Sequence, residues 1–223
     1  FGRFKRLVHD LSTKLDKKIE LVTEGAETEL DKSVLDQLVD PLLHLVRNAV
    51  DHGIEREDVR VARGKPARGT VRLAAKHEGQ FVVITITDDG NGLDAEAIRV
   101  KALERGLIGA DQVLPPGELY RLIFLPGFST AKQVSDVSGR GVGMDVVKRQ
   151  LDALRGVVTI TSEPGRGATL ALRLPLTLAI IDGLLVEADA ARYIVPLASV
   201  TEAVELPVGD RARHNGRRTV DVR

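Results

Sequence analysis

Residues 42–53 of the chain read Leu-Leu-His-Leu-Val-Arg-Asn-Ala-Val-Asp-His-Gly, and their spacing gives a helix with one chemical face. His44, Asn48 and then Asp51 or His52 fall one turn apart on a single stripe, with Leu42, Leu45, Val46, Ala49 and Val50 supplying apolar contacts around it. Polar side chains set that densely among apolar ones need partners, and a bound ligand or metal ion would supply them. The plainer alternative is a half-exposed helix with scattered polar residues. The Asn48 amide offers a hard oxygen to Mg²⁺, which nucleotide sites hold by one or two protein oxygens plus phosphates. His44, one turn back, could polarise an attacking group or meet a γ-phosphate, or simply pack. Zinc is disfavoured, because His44 and His52 stand two turns apart with no third strong ligand near. Gly53 is expected to end the helix as a C′ glycine.

Two glycine-rich stretches carry the rest of the chemistry. Asp88-Asp89-Gly90-Asn91-Gly92 directly follows a β-rich run, so a carboxylate there could accept a hydrogen bond from an exocyclic amine such as adenine's while the glycines let the base lie close. A tight turn after a strand explains the same residues without a ligand. Ser138-Gly139-Arg140-Gly141-Val142-Gly143-Met144 opens the strongest helical pattern in the chain. Glycines before a helix start free backbone N–H groups to face an anion, and phosphate is the natural one. A loop that merely caps a helix is the alternative. No Gly-Lys-Ser/Thr follows, so it is not a Walker loop, and no strand precedes it, so it is not a dinucleotide fingerprint.

The elements that must position these residues follow from periodicity. Phe4, Leu7, Val8, Leu11 and Leu15 give an amphipathic helix ending near Lys17, and residues 18–23 alternate as a strand. Asp31 or Ser33 caps a second helix through Val34, Leu35, Leu38 and Val39, with Pro41 at its junction with the helix of residues 42–53. Residues 56–63 are polar and short, and read as a surface turn of helix. Residues 70–76 and 81–87 form a hairpin around Glu78-Gly79-Gln80. Residues 94–105 are helical, and Pro116-Gly117 separates the next loop from a helix through Leu119, Leu122 and Ile123. Periodicity vanishes over residues 126–140, as in a functional loop. The helix that follows runs through Met144, Val147, Leu151 and Leu154 to Gly156, and strands are expected at 157–162 and 168–174. Helices mixed with antiparallel strands imply an α/β two-layer sandwich, one mixed sheet covered by helices on one face. Near residue 176 the texture changes to short β-like runs at 179–187 and 193–198, so a domain boundary is placed there.

Composition bounds the function. At 223 residues and 43% hydrophobic content a real core is expected, and a net charge of zero gives no argument for nucleic acid or an anionic membrane. No cysteine excludes disulfides, thiolate zinc sites and cysteine nucleophiles, and accords with a cytoplasmic setting. No apolar run reaches membrane-spanning length, the longest being broken by Asp182 and Gly183. The start reads as mid-helix, as in a piece of something larger.

The order of these motifs resembles the ATP-binding fold of gyrase, Hsp90, histidine kinases and MutL, over nearly all of residues 20–175. HLVRNAVDHGIE (44–55), LPGFSTA (125–131), VSGRGVGMDVVK (137–148) and LPLTLAIIDG (174–183) are similar to the CheA-type chemotaxis histidine kinases. The resemblance implies a Bergerat-type fold binding ATP and Mg²⁺. Asn48 would hold the metal, with Asp51 and His52 beside the nucleotide, and Asp88 would take the adenine amine in a pocket shaped by Gly90 and Gly92. Ser138, Gly139, Arg140, Gly141, Val142, Gly143 and Met144 would wrap the phosphates, and Thr169 would complete the adenine end from the last strand. Residues 128–137 would be the ATP lid. His44 stands where hydrolysing relatives carry a glutamate base, which favours phosphotransfer to a protein. The γ-phosphoryl group would pass to a histidine on a separate phosphotransfer domain. Residues 1–17 would be a linker helix from a dimerisation domain outside this sequence, which would make the full protein a homodimer. Residues 176–223 would begin an adaptor-like β-barrel regulatory domain that meets a CheW-like coupling protein and chemoreceptors, with response regulators downstream. The competing readings are a gyrase-type ATP-hydrolysing clamp and a non-catalytic nucleotide-sensing module. His9 is set aside as a phosphorylated histidine because its surroundings look like a linker helix, and His77 and His214 are expected to be solvated.

Overall fold

The computed structural model describes residues 2–128, 143–176, 183–188, 191–200, 212–214 and 217–219. The chain divides into two units, Phe1–Leu178 and Ala179–Arg223.

In the first unit the elements follow in the order α1 (Gly2–Lys14), β1 (Ile19–Glu24), α2 (Lys32–Asn48), α3 (Glu57–Ala62), β2 (Gly69–Glu78), β3 (Phe81–Asp88), α4 (Ala95–Glu104), α5 (Pro116–Arg121), α6 (Met144–Ala153), β4 (Val157–Glu163) and β5 (Gly167–Pro175). The strands form one mixed sheet in the order β1-β2-β3-β5-β4. Only β1 and β2 run parallel, and α2 lies in the crossover that a parallel pair requires. The remaining neighbours are antiparallel, and β2 and β3 meet across a turn whose Gly79 has φ +61°. This is the mixed sheet with helices that the sequence implies.

Alternation along the strands decides which face is covered. Val71 and Leu73, Ile84 and Ile86, Leu170, Leu172 and Leu174, and Val158 and Ile160 are buried in one core with Leu38, Leu45 and Val46 of α2, Ile98 of α4, Leu119 of α5 and Val147 and Leu151 of α6. Each such side chain contributes about 1.5–3 kcal/mol on leaving water, so the sheet and helices hold one another. The opposite face carries Arg72, Thr87, Thr169 and Arg173, and Arg173 stacks over the Phe81 ring at 4.2 Å.

α2 differs from expectation in two ways. Asp31 caps it through the Ser33 N–H at 2.8 Å, but Pro41 does not interrupt it. The hydrogen bond that Pro41 cannot donate belongs to the carbonyl of exposed Gln37, where water can replace it, and the buried row Val34, Leu38, Leu42 and Leu45 runs on unbroken. After Asn48 the chain widens into a π-helical turn, Ala49–Gly53, closed by Ile54 N–H to the Ala49 carbonyl at 2.9 Å. Pro116 begins α5 as its first residue, where a missing N–H costs nothing, instead of standing before the helix.

In the second unit, β6 (Gly183–Ala188) pairs with β7 (Ala191–Pro196), and β8 (Ala212–His214) with β9 (Arg217–Thr219), each pair antiparallel. Among the described residues these are two separate ribbons and not a closed barrel.

Candidate functional site

The carboxyl end of β3 and the π turn after α2 meet at the helix-covered face of the sheet. Asp88, the last residue of β3, is 6% exposed, and its Oδ1 accepts from the Gly90 N–H at 3.0 Å. Burial pushes its carboxyl up to about 6, assisted by the charge of Asp89 and opposed by the Gly90 and Ala168 N–H groups and by Lys65. A buried carboxylate with little charge compensation is poised to accept a hydrogen bond from a ligand.

Glycine is required around it for close approach. A Cβ on Gly53 would stand 3.1 Å from the Asp88 carboxyl carbon, and one on Gly90 only 2.0 Å from the Gly53 carbonyl oxygen. Gly53 therefore serves not as a left-handed cap, since its φ lies outside that region, but as a wall that can touch Asp88. The Gly53 carbonyl accepts from the Asn91 N–H at 2.9 Å, fastening the turn to the helix end. Gly92, with φ +73°, backs onto the Glu163 carbonyl.

Along α2, His44 and Asn48 are half-buried. Burial, and then the charges of Arg47 and His52, hold the His44 imidazolium below its ordinary pKa, so the ring is neutral at pH 7. The Asn48 amide donates to the Met144 sulfur at 3.3 Å, which brings the first residue of α6 against the stripe. Asp51 and His52 lie in the π turn. His52 is exposed, 3.8 Å from the Asp51 carboxylate, and Lys17 donates to the Val50 and Asp51 carbonyls at 2.9 and 2.6 Å. No cluster of three or more histidine, cysteine or acidic side chains that could hold a metal ion is found among the described residues; the Asn48 side-chain oxygen is a hard donor of the kind that Mg²⁺ takes together with phosphate and water. Gly143 precedes α6 in extended conformation and Asp145 lies in its first turn, paired with Arg149 at 3.0 Å. Ser138, Gly139, Arg140, Gly141, Val142 and residues 129–137 lie outside the described residues. Phe128, also expected in the lid, is buried under Arg105, 5.8 Å from its ring centre.

Thr169 is not brought to Asp88. In the β3–β5 register Asp88 stands opposite Ala168, while Thr169 pairs with Thr87 on the uncovered face, their hydroxyls 3.0 Å apart. Successive strand residues point to opposite faces, so the neighbour of Asp88 on the site side is Ala168. A shallow hollow of about 330 Å³ does lie at this end of the β4–β5 hairpin, bordered by Ser162, Ala168 and Thr169, but it is not lined by Asp88 or Asn48.

Several residues that hold the site lie outside the sequence expectation. Gly167, at φ +110°, would place a Cβ 1.9 Å from the Asp88 carbonyl oxygen. The Ser162 hydroxyl accepts from Leu93 N–H at 2.7 Å and donates to the Gly167 carbonyl at 3.0 Å. Residues 56–63, read as a surface turn, contain Arg60, which is wholly buried and paired with Glu55 at 3.0 Å and Asp89 at 2.9 Å. Removing one partner of such a pair costs about 3–5 kcal/mol, so α3 belongs to the core of the site. The Gly-x-Gly spacing before the last strand could have pointed to Gly167; no pattern around Arg60 marks it as buried.

Residues 36–178 match the family model described as histidine kinase-, DNA gyrase B-, and HSP90-like ATPase. The chain is similar to the chemotaxis protein CheA of Treponema pallidum, 52% identical over 91% of this chain and 25% of the relative. It is 54% identical to the chemotaxis protein CheA of Borreliella burgdorferi over 91% of this chain and 23% of that one. It is 51% identical to the sensor histidine kinase CheAY of Helicobacter pylori over 92% of this chain and 26% of that one. The chain spans about a quarter of the length of these relatives. No helix among the described residues is long and apolar enough to cross a membrane.

Proposed function

The chain belongs to the histidine kinase-, DNA gyrase B- and HSP90-like ATPase family, a nucleotide-binding family, and on that premise we propose that it is the ATP-binding catalytic module of a CheA-type protein-histidine kinase. It would pass the γ-phosphoryl group of ATP to a histidine on a separate phosphotransfer domain, in chemotaxis-type signalling. The observation that carries this reading is Asp88, buried at the end of β3 and walled by Gly53 and Gly90, with Asn48 and His44 on the helix that leads to that wall.

In this reading the Asp88 carboxylate accepts from the adenine amine, and Gly53 and Gly90 leave room for the ring. Asn48 would contribute an oxygen to Mg²⁺, which when bound would neutralise phosphate charge. Residues 138–144 are assigned to the phosphates on the resemblance, and the positive end of the α6 dipole would favour an anion beside Met144. His44, neutral and one turn before Asn48, faces the transferred group, where a glutamate base would instead activate water. Phosphoryl transfer needs mainly positioning and charge neutralisation, which this set of residues supplies. Coupling to a CheW-like protein, chemoreceptors and response regulators, and dimerisation, would in this reading be expected of a full-length CheA-type kinase.

The test is to mix the chain with Mg-ATP and a histidine-bearing phosphotransfer domain and look for acid-labile, base-stable phosphate on the acceptor. Labelled acceptor is expected, with none when Asp88→Asn replaces the wild-type chain. Steady ATP hydrolysis with an unlabelled acceptor would instead identify a gyrase-type clamp, and binding with neither outcome a nucleotide sensor.

A further inference from the structure

The second carboxylate of the Asp88-Asp89 pair makes none of the nucleotide contacts proposed above, and Arg60 and Lys65 lie beyond every motif. All are joined in one network. The Asp89 Oδ1 accepts from the Thr70 N–H at 2.9 Å, and its Oδ2 from Arg60 Nη2 at 2.9 Å. Arg60 Nη1 reaches both the Asp89 carbonyl at 3.2 Å and Glu55 Oε2 at 3.0 Å. Its Nε donates to the Pro66 carbonyl at 2.8 Å and Nη2 also to the Arg68 carbonyl at 3.4 Å, so all five N–H groups of the wholly buried guanidinium are engaged. Lys65 Nζ donates to Glu55 Oε1 at 2.8 Å and to the Gly90 carbonyl at 2.7 Å. Burial alone would push the Glu55 carboxyl up, but the Lys65 hydrogen bond and the charges of Lys65 and Arg60 hold it below its ordinary value.

Three of these contacts, to the Asp89 carboxylate, the Asp89 carbonyl and the Gly90 carbonyl, fall on the two residues that follow Asp88. We infer that Arg60 and Lys65 are positioning residues for base recognition: they fix the main chain of the Asp88–Gly90 turn, and through it the direction in which the Asp88 carboxylate meets a purine amine. Neither side chain touches the ligand. A rigid carboxylate direction discriminates an amine donor from a carbonyl acceptor at the same ring position, because the wrong base leaves two acceptors facing each other. The inference rests on the adenine reading of Asp88.

The two are separated by measuring, on the 223-residue chain, the dissociation constants of ATP, GTP and inorganic tripolyphosphate for wild type, Arg60→Lys and Lys65→Met. Lysine at 60 keeps the charge, but its compact ammonium with three N–H groups cannot span the five acceptors that the planar guanidinium serves. Methionine at 65 keeps the stem and removes the bond to Gly90, which guards against a variant at 60 that does not fold; circular dichroism and the unfolding midpoint establish folding of each. Wild type is expected to bind ATP more tightly than GTP. In either folded variant the ratio of GTP to ATP dissociation constants falls by about tenfold, the equivalent of one hydrogen bond to a charged group, while tripolyphosphate affinity holds. A lowered unfolding midpoint with an unchanged ratio, or parallel loss of ATP and tripolyphosphate binding, would reduce the network to fold stability and overturn the inference. Equal affinity for ATP and GTP in wild type would overturn the adenine reading itself, and this inference with it.

Discussion

Asp88 and His44 are both withdrawn from water, and burial moves each toward its neutral form. For Asp88 the folded value, about 6, stands above the ordinary 3.8, with burial the largest cause. The nucleotide-free fold therefore carries a penalty that is absent below pH 3.8, grows as pH rises, and is complete above about 6. Roughly two pKa units amount to about 3 kcal/mol. Asp88→Asn is expected to stabilise the nucleotide-free chain at about pH 7.5 by up to about 3 kcal/mol and by almost nothing at about pH 4, while ATP binding is lost. Urea unfolding at the two pH values measures this, and an Asp88→Asn chain less stable than wild type at the higher pH would contradict the burial account. His44, already neutral at pH 7, is available as a proton acceptor or hydrogen-bonding group. His44→Ala should leave the ATP dissociation constant within about twofold and slow phosphotransfer by about 10²–10⁴, the usual range for a positioned acid or base. Rapid-quench transfer assays and equilibrium binding separate the two effects.

At the scale of elements, the alternating strands and amphipathic helices were legible because each buries one face, and the core of β2, β3, β5, α2 and α6 follows that pattern. What was not legible depends on how distant segments meet. Thr169 and Ala168 are adjacent in sequence, yet the pairing of Asp88 with Ala168 turns the hydroxyl away from the site, and a register shift of one residue would reverse that. Arg60 looks like any charged residue in a short polar helix until Glu55 and Asp89 converge on it. Pro41 reads as a break until the exposure of Gln37 shows that water can take the place of the missing bond. The interlock of the π turn with the β3 end gives a prediction of its own. Gly90→Ala must separate Gly53 from the turn, since its Cβ would meet the Gly53 carbonyl at 2.0 Å. A loss of about 1–3 kcal/mol is expected, with weakened nucleotide binding. Gly117→Ala in α5, with open space at its Cβ and no left-handed φ, should instead add about 0.4–1 kcal/mol. Thermal unfolding of the pair tests the contrast, and equal effects would refute the interlock.

At the scale of the molecule, every described site residue lies in Phe1–Leu178, and so does the continuous buried core. The second unit offers little of its own: among its described residues Leu185 is 63% exposed and Ile194 74%. Fewer than about fifty residues with no buried core among those described are poorly placed to fold alone, whereas a chain of the first unit's size buries enough surface to do so. Removing residues 179–223 is therefore expected to shift the unfolding midpoint by no more than a few degrees and to leave the ATP dissociation constant within about twofold. Scanning calorimetry and equilibrium binding on the truncated chain measure both. A fall in midpoint of more than about 10 °C, larger than a loss of about 1–2 kcal/mol produces in a domain of this length, would show that the fold of the nucleotide site draws on residues beyond 178.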